Sequence, residues 1–165
     1  MEPGYFGEFP ATLDDKGRVT MPRQFREIMN VLKHHSWYMT RGFDNCVFLF
    51  HEAEWARIRK QASGFTVMHG KALDFNRMFF GSVAETKPDQ QGRMNVPAHL
   101  REYAGLQKEA VIIGVDNHLE LWSKDKWRAF QSAHEDTYKE MASQLFMGVE
   151  EPPAGAVEGE VGHAN

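Results

Sequence analysis

Asp14-Asp15-Lys16-Gly17-Arg18-Val19-Thr20-Met21-Pro22-Arg23-Gln24-Phe25-Arg26-Glu27 returns as Asp89-Gln90-Gln91-Gly92-Arg93-Met94-Asn95-Val96-Pro97-Ala98-His99-Leu100-Arg101-Glu102. The two stretches lie 75 residues apart, with no gap, and six of the 14 positions are identical. Chance would give about one such identity. Other positions trade apolar for apolar: Val19 for Met94, Met21 for Val96, Phe25 for Leu100. A second block repeats at an offset of 72: Gly42-x-Asp44-Asn45 against Gly114-x-Asp116-Asn117, Phe50 against Trp122, Trp55 against Trp127. The chain therefore holds two copies of one unit, the second with a connection three residues shorter. Units of about 45 residues rarely bury an adequate core alone. The copies are expected to pack together as one body about a pseudo-twofold, a design suited to repeated or twofold partners.

Each copy reads the same way locally. Residues 8–13 form a strand with Phe9, Ala11 and Leu13 on one face, and Asp14-Asp15-Lys16-Gly17 supplies turn chemistry. From Arg18 to Met21 the pattern alternates, with Val19 and Met21 inward and Arg18 and Thr20 outward. Pro22 ends the strand and suits a helix start, after which Phe25, Ile28, Met29 and Leu32 make an apolar stripe. Strands follow at 37–40 and 46–50, then a helix at 52–62. In the second copy the strands are 83–86, 93–96, 110–115 and 119–122, with a helix at 97–103 closed by Gly105. A helix over 72–80 joins the copies. Ser123 is the expected N-cap of one long helix carrying Trp127, Phe130, His134, Met141 and Leu145.

The shared outward face decides the functional reading. In both copies the turn is followed by an outward arginine and then an outward small polar residue: Arg18 with Thr20, Arg93 with Asn95. An arginine fork can take guanine O6 and N7 in two parallel hydrogen bonds, an adjacent asparagine or threonine can complete the contact, and a two-stranded ribbon fits a major groove. On this reading two ribbons would read two nearby sites. The plainer alternative is that Asp14–Arg18 and Asp89–Arg93 only bridge their own turns, since exposed pairs of that kind are common and worth little. The two are compatible if Asp14 and Asp89 position the arginines without touching DNA.

The pattern D-x-x-G-R-x-x-x-P-x-x-[FL]-R-E resembles the SpoVT/AbrB swapped-hairpin DNA-binding family. The tandem arrangement, with Arg41-Gly42-Phe43-Asp44-Asn45-Cys46-Val47-Phe48-Leu49 and Pro97-Ala98-His99-Leu100-Arg101-Glu102-Tyr103-Ala104-Gly105-Leu106, is similar to the MraZ family from about Tyr5 to Phe146. That resemblance implies an α+β fold, a mostly β core with packed helices. Two pseudo-twofold swapped-hairpin units would form one double-psi-like barrel body, with a long C-terminal helix and a disordered tail. The expected segments are 5–53 and 81–125 for the two domains, 54–80 for a helical connector, 126–147 for the C-terminal helix and 148–165 for an acidic tail. It further implies a bacterial transcriptional regulator, nucleoid-associated, that assembles into rings. Such a regulator binds short direct repeats of double-stranded DNA upstream of the division and cell-wall genes. Carried over residue by residue, the D-x-x-x-R motif gives Asp14, Arg18, Asp89 and Arg93. Thr20, Asn95, Lys16 and Arg23 complete the expected DNA-binding set. Lys16 and Arg23 become Gln91 and Ala98 in the second copy, so the first is expected to hold phosphate more strongly.

Charge distribution fits this reading better than net charge does. The chain carries −4 overall, but residues 135–165 hold seven acids and one base, and the remainder has 18 bases against 16 acids. Asp14 to Lys33 contains five bases and three acids. At 42% hydrophobic and 25% charged, with no apolar run long enough for a membrane helix and no signal-like N-terminus, the chain reads as soluble and cytoplasmic. One cysteine, Cys46, lies in an apolar run and reads as a packing residue.

No enzyme is expected. The eight histidines are scattered without a ligand spacing, so no metal or other cofactor is implied. His34 and His35 read as cations closing the first helix. Adjacent Asp14 and Asp15 on an exposed turn are poor general acids, and no nucleophile elbow, phosphate loop or dinucleotide fingerprint occurs. Phe48, Phe50, Trp55, Trp122 and Trp127 recur at matched positions and read as packing, in the core or between subunits, rather than as base-stacking platforms. The rival class is a protein-interaction module of the antitoxin kind, against which the short polar tail offers little apolar surface to dock.

Overall fold

The computed structural model describes residues 2–64 and 69–147. The acidic tail at 148–165 lies outside them. The chain is mixed α+β, and up to Trp127 it forms one unit. Its strands are β1 (Tyr5–Thr12), β2 (Arg18–Thr20), β3 (Trp37–Arg41), β4 (Val47–His51), β5 (Ala84–Thr86), β6 (Arg93–Asn95), β7 (Glu109–Asp116) and β8 (Leu119–Ser123). The helices are α1 (Arg23–Leu32), α2 (Glu52–Ala62), α3 (Gly70–Phe79) and α4 (Ala98–Ala104), with α5 (Lys124–His134) and α6 (Tyr138–Ala142) at the end.

Six strands form an antiparallel sheet in the order β1-β7-β8-β4-β3-β5. The order interleaves the copies. β1 of the first copy pairs with β7 of the second, Tyr5 opposite Asp116 through Thr12 opposite Glu109. β5 of the second copy pairs with β3 of the first, Trp37 opposite Thr86. Each copy thus donates its first strand to the closing hairpin of the other, and β4 joins β8 at the middle. Neither copy can close its own sheet, which is the physical reason for finding both in one chain.

The remaining strands, β2 and β6, pair only with each other. Val19 faces Met94 across that ladder, and both are fully buried. The strands end at Thr20 and Asn95, two residues before Pro22 and Pro97, which lack the N–H a continuing ladder would need, and α1 and α4 begin one residue after each proline. Phe25 and Met29 of α1 and Leu100 and Ala104 of α4 enter the same core as Trp37, Leu49, Ile112 and Leu121. Gly105 and Lys33 close these helices in the left-handed conformation. Phe48, Phe50, Trp55 and Trp122 are likewise buried. So is Cys46, whose thiol donates to the Phe43 carbonyl and is driven upward in pKa by burial.

His34 departs from the expected role of a helix-closing cation. Its Nδ1 lies 2.8 Å from the Tyr5 hydroxyl, and its ring stacks on His51 at 3.8 Å. Burial lowers its pKa, and burial together with the neighbouring His34 lowers that of His51 to about 4. Nδ1 of His51 accepts the Glu54 N–H and caps α2, which requires an unprotonated nitrogen. Both folded-state values lie below the ordinary histidine value, so the stabilisation is complete above about pH 6.5 and falls as the unfolded chain gains protons. Taking the protein from pH 7 to pH 5 is therefore expected to cost about 1 kcal/mol, allowing for solvent screening. Urea unfolding at the two values measures it. A His51→Asn protein, which keeps a capping acceptor but cannot titrate, should show a smaller change.

The expected single C-terminal helix is broken. From Arg128 the chain forms a second unit: the end of α5, a turn, α6, and a wide π-type turn over Ser143–Met147. Asp136 and Thr137 are weak helix formers, and the Thr137 hydroxyl takes the His134 carbonyl at 3.2 Å. Among the described residues no helix is long and apolar enough to cross a membrane.

Candidate nucleic-acid interface

The two Asp-x-x-Gly-Arg turns are built from the same bonds. Asp14 Oδ1 accepts the N–H of Lys16 at 3.0 Å and of Arg18 at 2.9 Å, while Oδ2 takes Arg18 Nε at 2.7 Å. Asp89 Oδ1 accepts the N–H of Gln91 and of Arg93, each at 2.9 Å, and Oδ2 takes Arg93 Nε at 2.7 Å. The backbone closes around each: Gly17 N–H donates to the Asp14 carbonyl, Gly92 N–H to that of Asp89. Gly17 and Gly92 turn at φ +74 and +80, where a side chain is strained. The backbone N–H of Arg18, and of Arg93 in the second copy, holds the aspartate below the usual carboxylate range, with the guanidinium adding to it. Each aspartate is thus ionised and fully engaged within its turn. It holds the arginine by Nε alone and leaves the outer nitrogens of the fork without a partner among the described residues.

The pairing of β2 with β6 then assembles the outward residues. Arg18 stands opposite Asn95, and Thr20 opposite Arg93. With Val19 and Met94 inward, all four side chains share one face, a single ribbon in place of the two expected from the repeat. The arginine side chains are 30% and 38% exposed, and Thr20 and Asn95 are exposed. Lys16 is exposed on the first turn. Arg23 sits apart from the ribbon at the start of α1, with its Nε 3.2 Å from Glu27, so part of its charge is already answered.

Two further arginines support the turns, each from the opposite copy. Arg26 of α1 reaches the second turn and donates to the carbonyls of Gln90 at 3.0 Å and Gln91 at 3.4 Å. Arg101 of α4 donates from Nε to the Val96 carbonyl at 3.0 Å and lies against the first turn. A Cβ on Gly17 would come within 2.6 Å of Arg101, and one on Gly92 within 2.9 Å of Arg26. Backbone bonds cross as well, from Met21 N–H to the Gly92 carbonyl at 2.7 Å and from Val96 N–H to that of Gly17 at 3.0 Å. Arg26 and Arg101 are absent from the expected DNA-binding set, although their identity across the repeat marked them as constrained. No cluster of metal-ligating side chains occurs among the described residues.

The family described as "MraZ protein, putative antitoxin-like" matches residues 5–78 and again 78–147. The chain is 37% identical over 141 residues to the Transcriptional regulator MraZ of Halothermothrix orenii, covering 86% of this chain and 96% of that protein. The proteins of the same name from Syntrophomonas wolfei and Carboxydothermus hydrogenoformans are each 38% identical over 141 residues, with the same coverage. Two tandem matches that divide the chain where its sequence repeats, and relatives aligned over nearly their whole length, place this chain in the MraZ family.

Proposed function

We propose that this chain is a transcriptional regulator that binds double-stranded DNA through the β2/β6 ribbon, and not an enzyme. The observation that carries the reading is the state of the two arginines: each is fixed at Nε by an aspartate and presents its outer nitrogens from one narrow, exposed ribbon. That is the geometry for a bidentate contact with guanine in a major groove. The relatives' shared name as transcriptional regulators supports it. On this reading Arg18, Arg93, Thr20 and Asn95 meet base edges, Asp14 and Asp89 position the arginines, and Lys16 and Arg23 meet phosphate. The two interleaved copies make a swapped-hairpin body that displays one reading surface.

The targets are short direct repeats upstream of the division and cell-wall gene cluster, with the protein nucleoid-associated in the cytoplasm. Several copies assemble as a ring. Phe6 of the edge strand β1 and its register partner Val115 of β7, both exposed, support self-association. A gel shift with the promoter of the chain's own operon, with and without competitor DNA, tests the reading. Retention of the shift only at that promoter is the expected result; binding solely to a co-expressed protein would replace it with the interaction-module reading.

Lys16 gives a separate prediction. One phosphate contact contributes about 0.9 to the slope of log affinity against log salt. Lys16→Ala is expected to flatten that slope by about this amount. A titration from low to moderate salt measures it, and an unchanged slope removes Lys16 from the contact set.

A further inference from the structure

The ribbon is nearly twofold: the buried positions exchange apolar for apolar, Val19 for Met94, whereas on the exposed face the departures from symmetry change the chemistry presented. The pseudo-dyad passes through the buried pair Val19 and Met94 and relates Arg18 to Arg93. It relates Thr20 to Asn95 as well, and these differ. Because the strands are antiparallel, each small polar residue stands beside the arginine of the opposite copy: Asn95 with Arg18, Thr20 with Arg93. Neither the Thr20 nor the Asn95 side chain makes a hydrogen bond within the described residues, and both are exposed. The turns behind them differ in the same sense, with Lys16 on one side and Gln91 on the other.

The chemistry of these two side chains is distinct. Asparagine can hold adenine by N6 and N7 in a bidentate pair, whereas threonine offers one hydroxyl and a methyl group that packs on the methyl of thymine. Diagonal neighbours on adjacent strands lie about 7–8 Å apart, which is about two rises of 3.4 Å along a DNA strand. The two arginines and their companions therefore address one short element rather than two separated half-sites.

We propose that Asn95 and Thr20 are the residues that set the orientation of a direct-repeat element on the ribbon: the Arg18–Asn95 end takes guanine beside adenine, and the Arg93–Thr20 end takes guanine beside thymine. A symmetric ribbon would bind an element equally in either orientation. This one binds in a single orientation, which lets every copy in an array point the same way. The inference rests on the DNA-reading role proposed above and adds the residues that set specificity within it.

Selection from a randomised duplex library at fixed salt tests it, using the full-length protein and the variants Asn95→Thr, Thr20→Asn and the double exchange. The parent protein should enrich an element with guanines and one flanking adenine. Asn95→Thr should lose the adenine preference by about fivefold to a hundredfold, the range of a good bidentate contact. Thr20→Asn should gain adenine at the dyad-related position and make the element palindromic, and the double exchange should reverse its orientation. Thermal unfolding midpoints close to the parent's show that the exposed substitutions leave the fold intact. An identical guanine-containing element for all four proteins overturns the orienting role and leaves the DNA-reading role standing. No enriched element for the parent protein overturns both.

Discussion

Replacing Arg18 and Arg93 together by alanine is expected to reduce affinity for the specific element to near the non-specific level. Each guanidinium that takes a guanine in two hydrogen bonds contributes about 1–3 kcal/mol of discrimination. Losing both removes about 2–6 kcal/mol if the sites act independently. They share one ribbon and one pair of supporting arginines, so the single variants are expected to sum to something other than the double. Fluorescence anisotropy at a fixed salt concentration measures all three proteins. The substitutions should not disturb folding, because both side chains are partly exposed and Asp14 and Asp89 keep the backbone N–H groups of their turns. Lysine at the same positions separates charge from readout. It keeps the charge but lacks the planar fork, so it should retain non-specific binding while losing most of the specificity. Equal and negligible losses for both alanine variants would return the two turns to the plainer role of holding themselves together.

Trp37→Ala is expected to be the most destabilising single change within the body of the protein. Trp37 is fully buried, its Nε1 donates to the Met29 sulfur at 3.2 Å, and its ring meets Tyr5 edge-on at 5.2 Å and His51 at 6.0 Å. It therefore joins β1, α1 and β4 at one point, and β1 belongs to the strand exchange between the copies. Truncating a buried aromatic to alanine costs about 3–5 kcal/mol, a large part of the about 5–15 kcal/mol that holds a typical domain together. The midpoint of urea unfolding should fall accordingly while its slope holds steady. A loss below about 1 kcal/mol would mean that the site collapses around the cavity and that Trp37 is not the junction described.

The local structure was legible because its causes are local. Alternation of Val19 and Met21 with Arg18 and Thr20 told the inward from the outward face, and Val19 and Met21 are buried. Pro22 and Pro97 marked where helices start, within one residue, and where the preceding strands stop, within two. Ser123 was readable as a cap, and its hydroxyl accepts the Lys126 N–H at 3.1 Å. What failed depended on neighbours distant in sequence. His34 read as a helix-closing cation from its position alone, but Tyr5 and His51 come to it from other elements and burial favours the neutral ring. The single C-terminal helix followed from its apolar spacing, which carries no information about the Thr137 hydroxyl competing for the His134 carbonyl.

The sequence by itself determined that the chain is a duplication, that each copy carries an Asp-x-x-Gly-Arg turn leading into an alternating strand, and that the first copy holds the extra charge of Lys16 and Arg23. These follow from residue identity and short-range periodicity. Only the tertiary structure decided that β2 and β6 meet as one ribbon, that Arg18 stands beside Asn95 and Arg93 beside Thr20, that Arg26 donates to the other copy's turn, and that Arg101 packs against Gly17 of the first copy. The partners in those contacts are 64 to 84 residues apart and come from opposite copies, and nothing in the local pattern distinguishes pairing within a copy from pairing between copies. Burial settles it: Val19 and Met94 can both leave water only by facing each other across the shared core.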